Sequence, residues 1–224
     1  DETPQPEGYE YLYLTGHPMG SSLYYQCIGI NRTEEDLKNY PQMAGSGLGD
    51  YIYKDIDENG KIDAKDMLRS DLNTIPQIVF GLTANFQYKN FDLSILFQGQ
   101  ALARLHYTPL QAPLEGNITK EMATQSWNLD RPDAKYGRIN STNNRKESTM
   151  WLRNASFLRL KNVELGYNFS GKALKTVGVK GLRLYIGGYN LFTISGLKEV
   201  DPETNNTASY PLMRVFNTGV KVTF

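Results

Sequence analysis

Ile78-Val79-Phe80-Gly81-Leu82-Thr83-Ala84-Asn85-Phe86-Gln87-Tyr88-Lys89-Asn90-Phe91-Asp92-Leu93-Ser94-Ile95-Leu96-Phe97-Gln98-Gly99 decides the fold. Ile78, Phe80, Leu82, Ala84, Phe86 and Tyr88 fall on one face of an extended chain, and Val79, Gly81, Thr83, Asn85 and Gln87 on the other. This period of two predicts a strand over 78–88, and a strand that crosses a membrane needs roughly 9–11 residues. From Phe91 the pattern resumes: Phe91, Leu93, Ile95 and Phe97 oppose Asp92, Ser94, Leu96 and Gln98. Only Lys89-Asn90 lies between, so the pair reads as a tight antiparallel hairpin.

Three further segments repeat the pattern. Over 157–169, Val163, Leu165, Tyr167 and Phe169 alternate with Glu164, Gly166 and Asn168. The earlier half is out of phase, with Leu158 and Leu160 apolar while Arg159 and Lys161 are charged. Either a β-bulge accounts for the switch or this end stands above the lipid. Over 182–194, Leu182, Leu184 and Ile186 alternate with Arg183 and Tyr185 until Gly187-Gly188 loosens the pattern. Over 216–224, Phe216, Thr218, Val220, Val222 and Phe224 face away from Asn217, Gly219, Lys221 and Thr223.

The connections between these strands alternate between short and long. Lys89-Asn90 and 170–181 are the short ones; Ala101–Ser156 and Ser195–Pro211 are the long ones. Transmembrane barrels have short periplasmic turns and long extracellular loops. With the C-terminal end in the periplasm, Tyr88, Phe91, Tyr167, Phe169 and Phe224 collect at the periplasmic edge, where an aromatic girdle is expected. A soluble antiparallel sandwich would explain the alternation strand by strand, but neither the loop asymmetry nor the gathered aromatics. The expected fold is therefore all-β: C-terminal strands of a large antiparallel transmembrane β-barrel. Residues 1–77 are expected to hold barrel strands and an extracellular loop region, and 78–224 the C-terminal strands of the same barrel. Five strands cannot close a barrel, so the remaining wall is expected upstream.

Composition is consistent with this. Lys plus Arg and Asp plus Glu each number 24, a balance that gives no support to nucleic-acid binding. Mean hydropathy is −0.49, although 12% of residues are aromatic; a polar barrel interior dilutes the apolar outer face in this way. The single cysteine, Cys27, precludes an internal disulfide and reads as a small, half-buried apolar residue. Asp1-Glu2-Thr3-Pro4 lacks the charged start and apolar core of a leader, so any targeting segment is expected upstream.

The most chemically specific motif is Asp55-Ile56-Asp57-Glu58-Asn59-Gly60-Lys61-Ile62-Asp63-Ala64-Lys65-Asp66. It follows the EF-hand calcium loop, with oxygen ligands Asp55, Asp57 and Asn59 at the first, third and fifth places and Gly60 at the sharp turn. Lys61 would offer its backbone carbonyl, Asp63 would act through water, and Asp66 stands where Glu is usual. The shorter carboxylate of Asp66 suggests weaker calcium binding or acceptance of magnesium. A solvated acidic turn is the competing reading. Tyr51-Ile52-Tyr53 before the loop reads as strand, so a lone structural loop is expected, without the paired helices of a calcium switch.

Several strings, in order along about 90% of the chain, resemble the SusC/RagA family of TonB-dependent outer-membrane transporters. They are Gly49-Asp50-Tyr51-Ile52-Tyr53-Lys54-Asp55, Asn73-Thr74-Ile75-Pro76, Phe91 to Gly99, Phe157 to Tyr167, Asn190-Leu191-Phe192-Thr193, Asp201-Pro202-Glu203 and Tyr210-Pro211. The sequence departs from the family at Tyr136-Gly137-Arg138, where Tyr-Pro-Arg is common, and at Leu212-Met213-Arg214. The resemblance implies a plugged barrel of about 22 strands in the outer membrane of a Bacteroidetes-type bacterium. It also implies TonB-driven import of oligomeric nutrients, glycans first and peptides second, under a SusD-like surface lipoprotein acting as a lid. The plug and the TonB box would lie upstream. No enzymatic activity is expected, because His17 and His106 sit in irregular contexts and no Gly-x-Ser-x-Gly occurs. An outer-membrane barrel enzyme is thus a weak alternative, and a soluble calcium-binding adhesion or scaffold module is the stronger one. Tyr107, Trp127 and Tyr136 are of a type that stacks on sugars, but loop packing is the commoner role.

Overall fold

The computed structural model describes residues 4–107, 118–169, 171, 174, 176, 178–198, 200–204 and 209–224. They form two compact units: residues 1–75 with 104–153, and residues 76–103 with 154–224.

The second unit is one antiparallel sheet. Its strands are β5 (Ile78–Tyr88), β6 (Phe91–Ala101), β9 (Phe157–Phe169), β10 (Gly181–Ser195) and β11 (Val215–Thr223), in the spatial order β11-β10-β9-β6-β5. Their bounds fall within two residues of those expected from alternation. The 89–90 hairpin keeps Lys89 at φ 52° and joins Tyr88 directly to Phe91.

The expected bulge is present. Leu96 pairs with Asn162 and Phe97 with Leu160, so Lys161 is an extra residue against β6. On the other side β10 steps from Tyr189 to Phe192 across the same point, with Asn190 at φ 53°. The extra residue restores phase: Leu158, Leu160, Val163, Leu165 and Tyr167 pair with Gly99, Phe97, Ile95, Leu93 and Phe91 respectively. A one-residue shift moves every side chain to the opposite face, so without it the charged half of β9 would face the wrong way.

The first unit is built from short strands in two-stranded sheets. β1 (Ser22–Tyr25) pairs with β4 (Met67–Ser70), β2 (Cys27–Ile30) with β3 (Tyr51–Tyr53), and β7 (Arg104–His106) with β8 (Leu152–Asn154). Among the described residues it also has two short α-helices, α1 (Glu34–Asn39) and α2 (Lys120–Gln125); Thr33 and Asp36 form a capping box on α1. Its core is aromatic, with Tyr51, Tyr53, Tyr136 and Trp151 all but fully buried. Within 1–77, the strands are three or four residues long, too short to cross a bilayer.

Candidate functional site

The functional feature of the second unit is the contrast between the two faces of its sheet. One face carries Leu82, Phe86, Phe91, Leu165, Leu184, Ile186, Phe192, Ile194, Phe216 and Val220 in adjoining rows. All are exposed, Ile186 at 60% and Phe216 at 77%. A continuous apolar sheet face of this kind is stable in hydrocarbon and a liability in water. At one end, Phe91 packs edge-on against Tyr167 at 4.8 Å, and Tyr167 against Phe169 at 4.7 Å. Tyr88 lies opposite Phe91, and Phe169 opposite Leu182, which itself faces Val222 near the chain end. The aromatics expected to gather at one edge therefore do so.

The other face is polar and cross-linked. Asn85, Gln87, Asp92, Gln98 and Lys221 all fall on it. Arg183 on β10 reaches over β9 to the carboxylate of Asp92 on β6, and also donates to Glu164 at 2.8 Å. Gly166 makes the crossing possible: a Cβ there would lie 2.4 Å from the Arg183 guanidinium. Gly219 does the same for Tyr185, whose ring lies where its Cβ would be. Nearer the long connections, Arg159 is 2% exposed and donates to Asp201 at 2.6 Å, Glu203 at 2.8 Å and Thr193 at 2.9 Å. Lys161, the bulge residue, binds the other oxygen of Glu203 at 2.6 Å. The Asp201-Pro202-Glu203 string thus ties its loop to the wall by charge-assisted bonds.

In the first unit the Gly49–Lys54 string is a packing element. Asp50 is fully buried and takes both Nε and Nη2 of Arg138, at 2.7 and 2.8 Å. Asn144 accepts from Tyr51 N–H and donates to the carbonyls of Gly49 and Arg138. Gly49 sits at φ 82°, and a Cβ there would strike the Trp127 ring at 2.3 Å. The departure at Gly137 has a use: its N–H donates to the Tyr51 hydroxyl at 3.0 Å, a bond proline could not make. Tyr107 and Tyr136 are 6% and 0% exposed, so neither ring is open to stack on a ligand. Tyr136 instead donates its hydroxyl to Glu121 at 2.7 Å.

The acidic loop follows β3 and leads into a single 3-10 turn, Ala64–Asp66, and then β4. Carboxylate oxygens of Asp55, Asp57 and Asp66 lie within 4.8 Å of one another. Asp55 accepts from the N–H groups of Asn59 and Gly60, which folds the chain about Gly60 at φ 79°. Asn59 bonds Asp57 through its amide and takes Lys61 N–H on its own oxygen. Asp66 is buried and accepts from Ile56 and Asp63 N–H. Asp63 stands outside the carboxylate cluster, its oxygen taken by Lys65 N–H. Three converging carboxylates with an Asn oxygen nearby are the hard-oxygen donor set that suits calcium or magnesium.

Both histidines have carboxylate partners. His17 Nδ1 lies 2.7 Å from Asp71, and His106 Nε2 lies 3.1 Å from Glu147. Burial pushes the Cys27 thiol up to about 11, so it stays protonated and unreactive at neutral pH. No helix among the described residues is long and apolar enough to cross a membrane, which says nothing of strands.

An antiparallel sheet, apolar on one side and ion-paired on the other, has the two-faced pattern of a transmembrane β wall. No family model matches the chain. It is similar to TonB-dependent receptor P3 of Formosa agariphila, at 28% identity over 93% of the chain and 22% of that protein. It is also similar to the TonB-dependent receptor SusC of Bacteroides thetaiotaomicron, at 28% over 78% of the chain and 19% of that protein. Its fold matches the RagAB peptide transporter with a TM-score of 0.67 at 21% identity, over 91% of the chain and 22% of that one. The chain therefore has the fold of TonB-dependent transporters, and it spans about a fifth of the length of the relatives it matches.

Proposed function

We propose that this chain is part of an outer-membrane barrel that imports oligomeric nutrients with energy from TonB, under a SusD-like surface lipoprotein. The carrying observation is the five-stranded sheet with an exposed apolar face and a polar, ion-paired face. Similarity to TonB-dependent receptors supports the same reading. On it, the apolar face meets lipid, the polar face lines the lumen, and the aromatic edge lies on the periplasmic side. Ala101–Ser156, Ser195–Pro211 and the acidic loop are then extracellular. Glycans are the favoured cargo, as the family resemblance of the sequence implies; the matched RagAB structure is of a peptide transporter, which makes peptides the second class. The acidic loop holds one calcium ion through Asp55, Asp57, Asn59, the Lys61 carbonyl and Asp66, with Asp63 acting through water, and serves as a structural clip.

The test is a pull-down of the whole protein from detergent-solubilised outer membranes, with mass spectrometry of what is retained. A surface lipoprotein carrying bound oligosaccharide or peptide is the expected result. Recovery in the soluble fraction without detergent would overturn the reading in favour of a soluble calcium-binding module.

A further inference from the structure

Trp127 is half-buried, with one part of its ring packed on Gly49. It also lines a pocket of about 570 Å³ within the first unit, together with Ser126, Asn128, Asp130, Arg131 and Asn140. Small-molecule sites span about 300–1,000 Å³. The pocket is framed by its own backbone. Ser126 bridges to Tyr136, and Asn128 to Arg131 across a tight turn. Trp127 N–H donates to the Tyr136 carbonyl at 2.8 Å, and Arg131 N–H to the Asn128 carbonyl at 3.0 Å. Arg131 Nη1 donates to the Ser126 carbonyl at 3.1 Å. These main-chain groups are already engaged. An extended peptide is held largely through main-chain bonds, and this pocket has few to offer one.

The side chains are not engaged in the same way. Ser126 is 3% exposed, and among the described residues neither its Oγ nor the buried Trp127 Nε1 has a hydrogen-bond partner. Burying a donor without an acceptor is unfavourable. At the rim Asn128, Asp130 and Asn140 are exposed, and among the described residues no hydrogen bond or ion pair holds their side chains. An Asn amide both donates and accepts, a carboxylate accepts and a guanidinium donates. The charges cancel. Arg138, which also lines the pocket, is paired with Asp50, and Arg131 is balanced in sign by Asp130.

A fitting ligand therefore carries an apolar face for the indole, a rim of groups that both donate and accept, and no net charge. A pyranose has C–H bonds on its face and hydroxyls around its edge. We propose that this pocket seats one neutral hexopyranose residue of a glycan, stacked on the Trp127 indole and hydrogen-bonded by Asn128, Asp130, Arg131 and Asn140. A sugar hydroxyl brings the acceptor that Ser126 and Trp127 lack, and the indole supplies a large, rigid contact. The assignment rests on the import reading given above, and in particular on its choice of glycans over peptides.

The test photolabels the whole protein, purified in a neutral detergent, with diazirine-bearing alkyl glucoside, galactoside and mannoside. The same diazirine alcohol without sugar is the control, and labelled tryptic peptides are mapped by mass spectrometry. Trypsin does not cut between Arg131 and Pro132, so the Trp127 side of the pocket falls in one peptide, Glu121–Lys135. At least one hexoside is expected to label that peptide, the sugar-free alcohol is not, and the matching methyl hexoside competes the label away. Asn128→Ala and Asn140→Ala each lower the label by about two- to tenfold. No label on that peptide, equal label from the sugar-free alcohol, or a label unmoved by both substitutions would overturn the inference. Competition by methyl glucuronide as strong as by the neutral hexoside would overturn it in favour of an acidic sugar. Equal competition by acetyl-trialanine amide would overturn it in favour of a peptide. A protein that needs no detergent sinks the import reading, while the label still decides the pocket. One that needs detergent but takes no label on this peptide sinks the pocket alone.

Discussion

Removing the Asp50 carboxylate tests whether the first unit is held by its buried ion pair. Asp50 is fully buried and accepts three bonds: two from Arg138, at 2.7 and 2.8 Å, and one from Gly47 N–H at 2.9 Å. Breaking a buried pair costs about 3–5 kcal/mol, and a bond to a charged group is worth about 1.5–3 kcal/mol. The Arg138 side chain is 40% exposed, so water takes up part of its stranded charge in Asp50→Ala. The expected loss is about 2–3 kcal/mol, or roughly 30- to 150-fold in the population of the opened unit. Arg138→Ala is worse, because it strands a carboxylate that water cannot reach. Asp50→Asn is milder, because its amide oxygen still accepts one bond. The assay is native-state proteolysis of the detergent-purified protein, following cleavage within residues 1–75 and 104–153; when reclosing outpaces cleavage, the rate reports the open population. Cleavage of Asp50→Ala within threefold of wild type would refute the argument. So would an Asp50→Asn variant less protected than Arg138→Ala.

Gly166→Ala places a Cβ where the Arg183 guanidinium lies and so unseats it from Asp92 and Glu164. Both ends of that network are partly exposed, so the cost is about 1 kcal/mol, read as a lower midpoint in heat-modified gel mobility; an unchanged midpoint would count against the network. Hydrogen bonds from Lys135 and then Tyr136 hold the Glu121 carboxyl below its ordinary 4.5. A lowered folded value means this contact stabilises fully above pH 4.5 and is lost as pH falls through the folded value. Proteolysis around α2 should therefore steepen only under acid, and Glu121→Gln should abolish that dependence. If the acidic loop holds calcium, terbium will show luminescence sensitised by the nearby tyrosines, and a chelator will speed tryptic cleavage at Lys61. Asp57→Ala should remove both effects, and a wild-type protein indifferent to chelator would leave the loop a solvated turn.

The five strands of the sheet were legible because each must present one face to a single environment, and a period of two records that constraint locally. Even the bulge was legible, since Leu158 and Leu160 fall out of phase with Val163 and Leu165 and one extra residue reconciles them. The first unit was far less so. Asp50 finds Arg138 and Tyr51 finds Asn144 across some 90 positions of chain, and no local pattern announces such meetings. Tyr136 was open to two readings, a ring that stacks on sugar or one that packs its loop; it packs, as a core residue whose hydroxyl bonds Glu121. The Arg183 crossing did leave a trace: a glycine stands at position 166, on the polar face, between an arginine and a carboxylate two strands away. Reading that trace requires the register, which alternation by itself does not supply.

The extra residue at Lys161 gives β9 two reading frames, one on each side of it. Deleting that residue would act on the wall as a frameshift acts on a gene. Everything from Phe157 to Leu160 would be inverted, with Arg159 turned to the apolar face and Leu158 and Leu160 to the polar one. An arginine on a lipid-facing surface costs up to about 2–4 kcal/mol at the midplane and less near the interface, and the Asp201 and Glu203 carboxylates would lose their partner as well. β10 crosses the same step with a register shift of its own between Tyr189 and Phe192, after which Phe192 and Ile194 keep the parity of Gly188. Length changes in β9 near this point should therefore survive in lineages only in pairs, whereas substitutions there are free to drift.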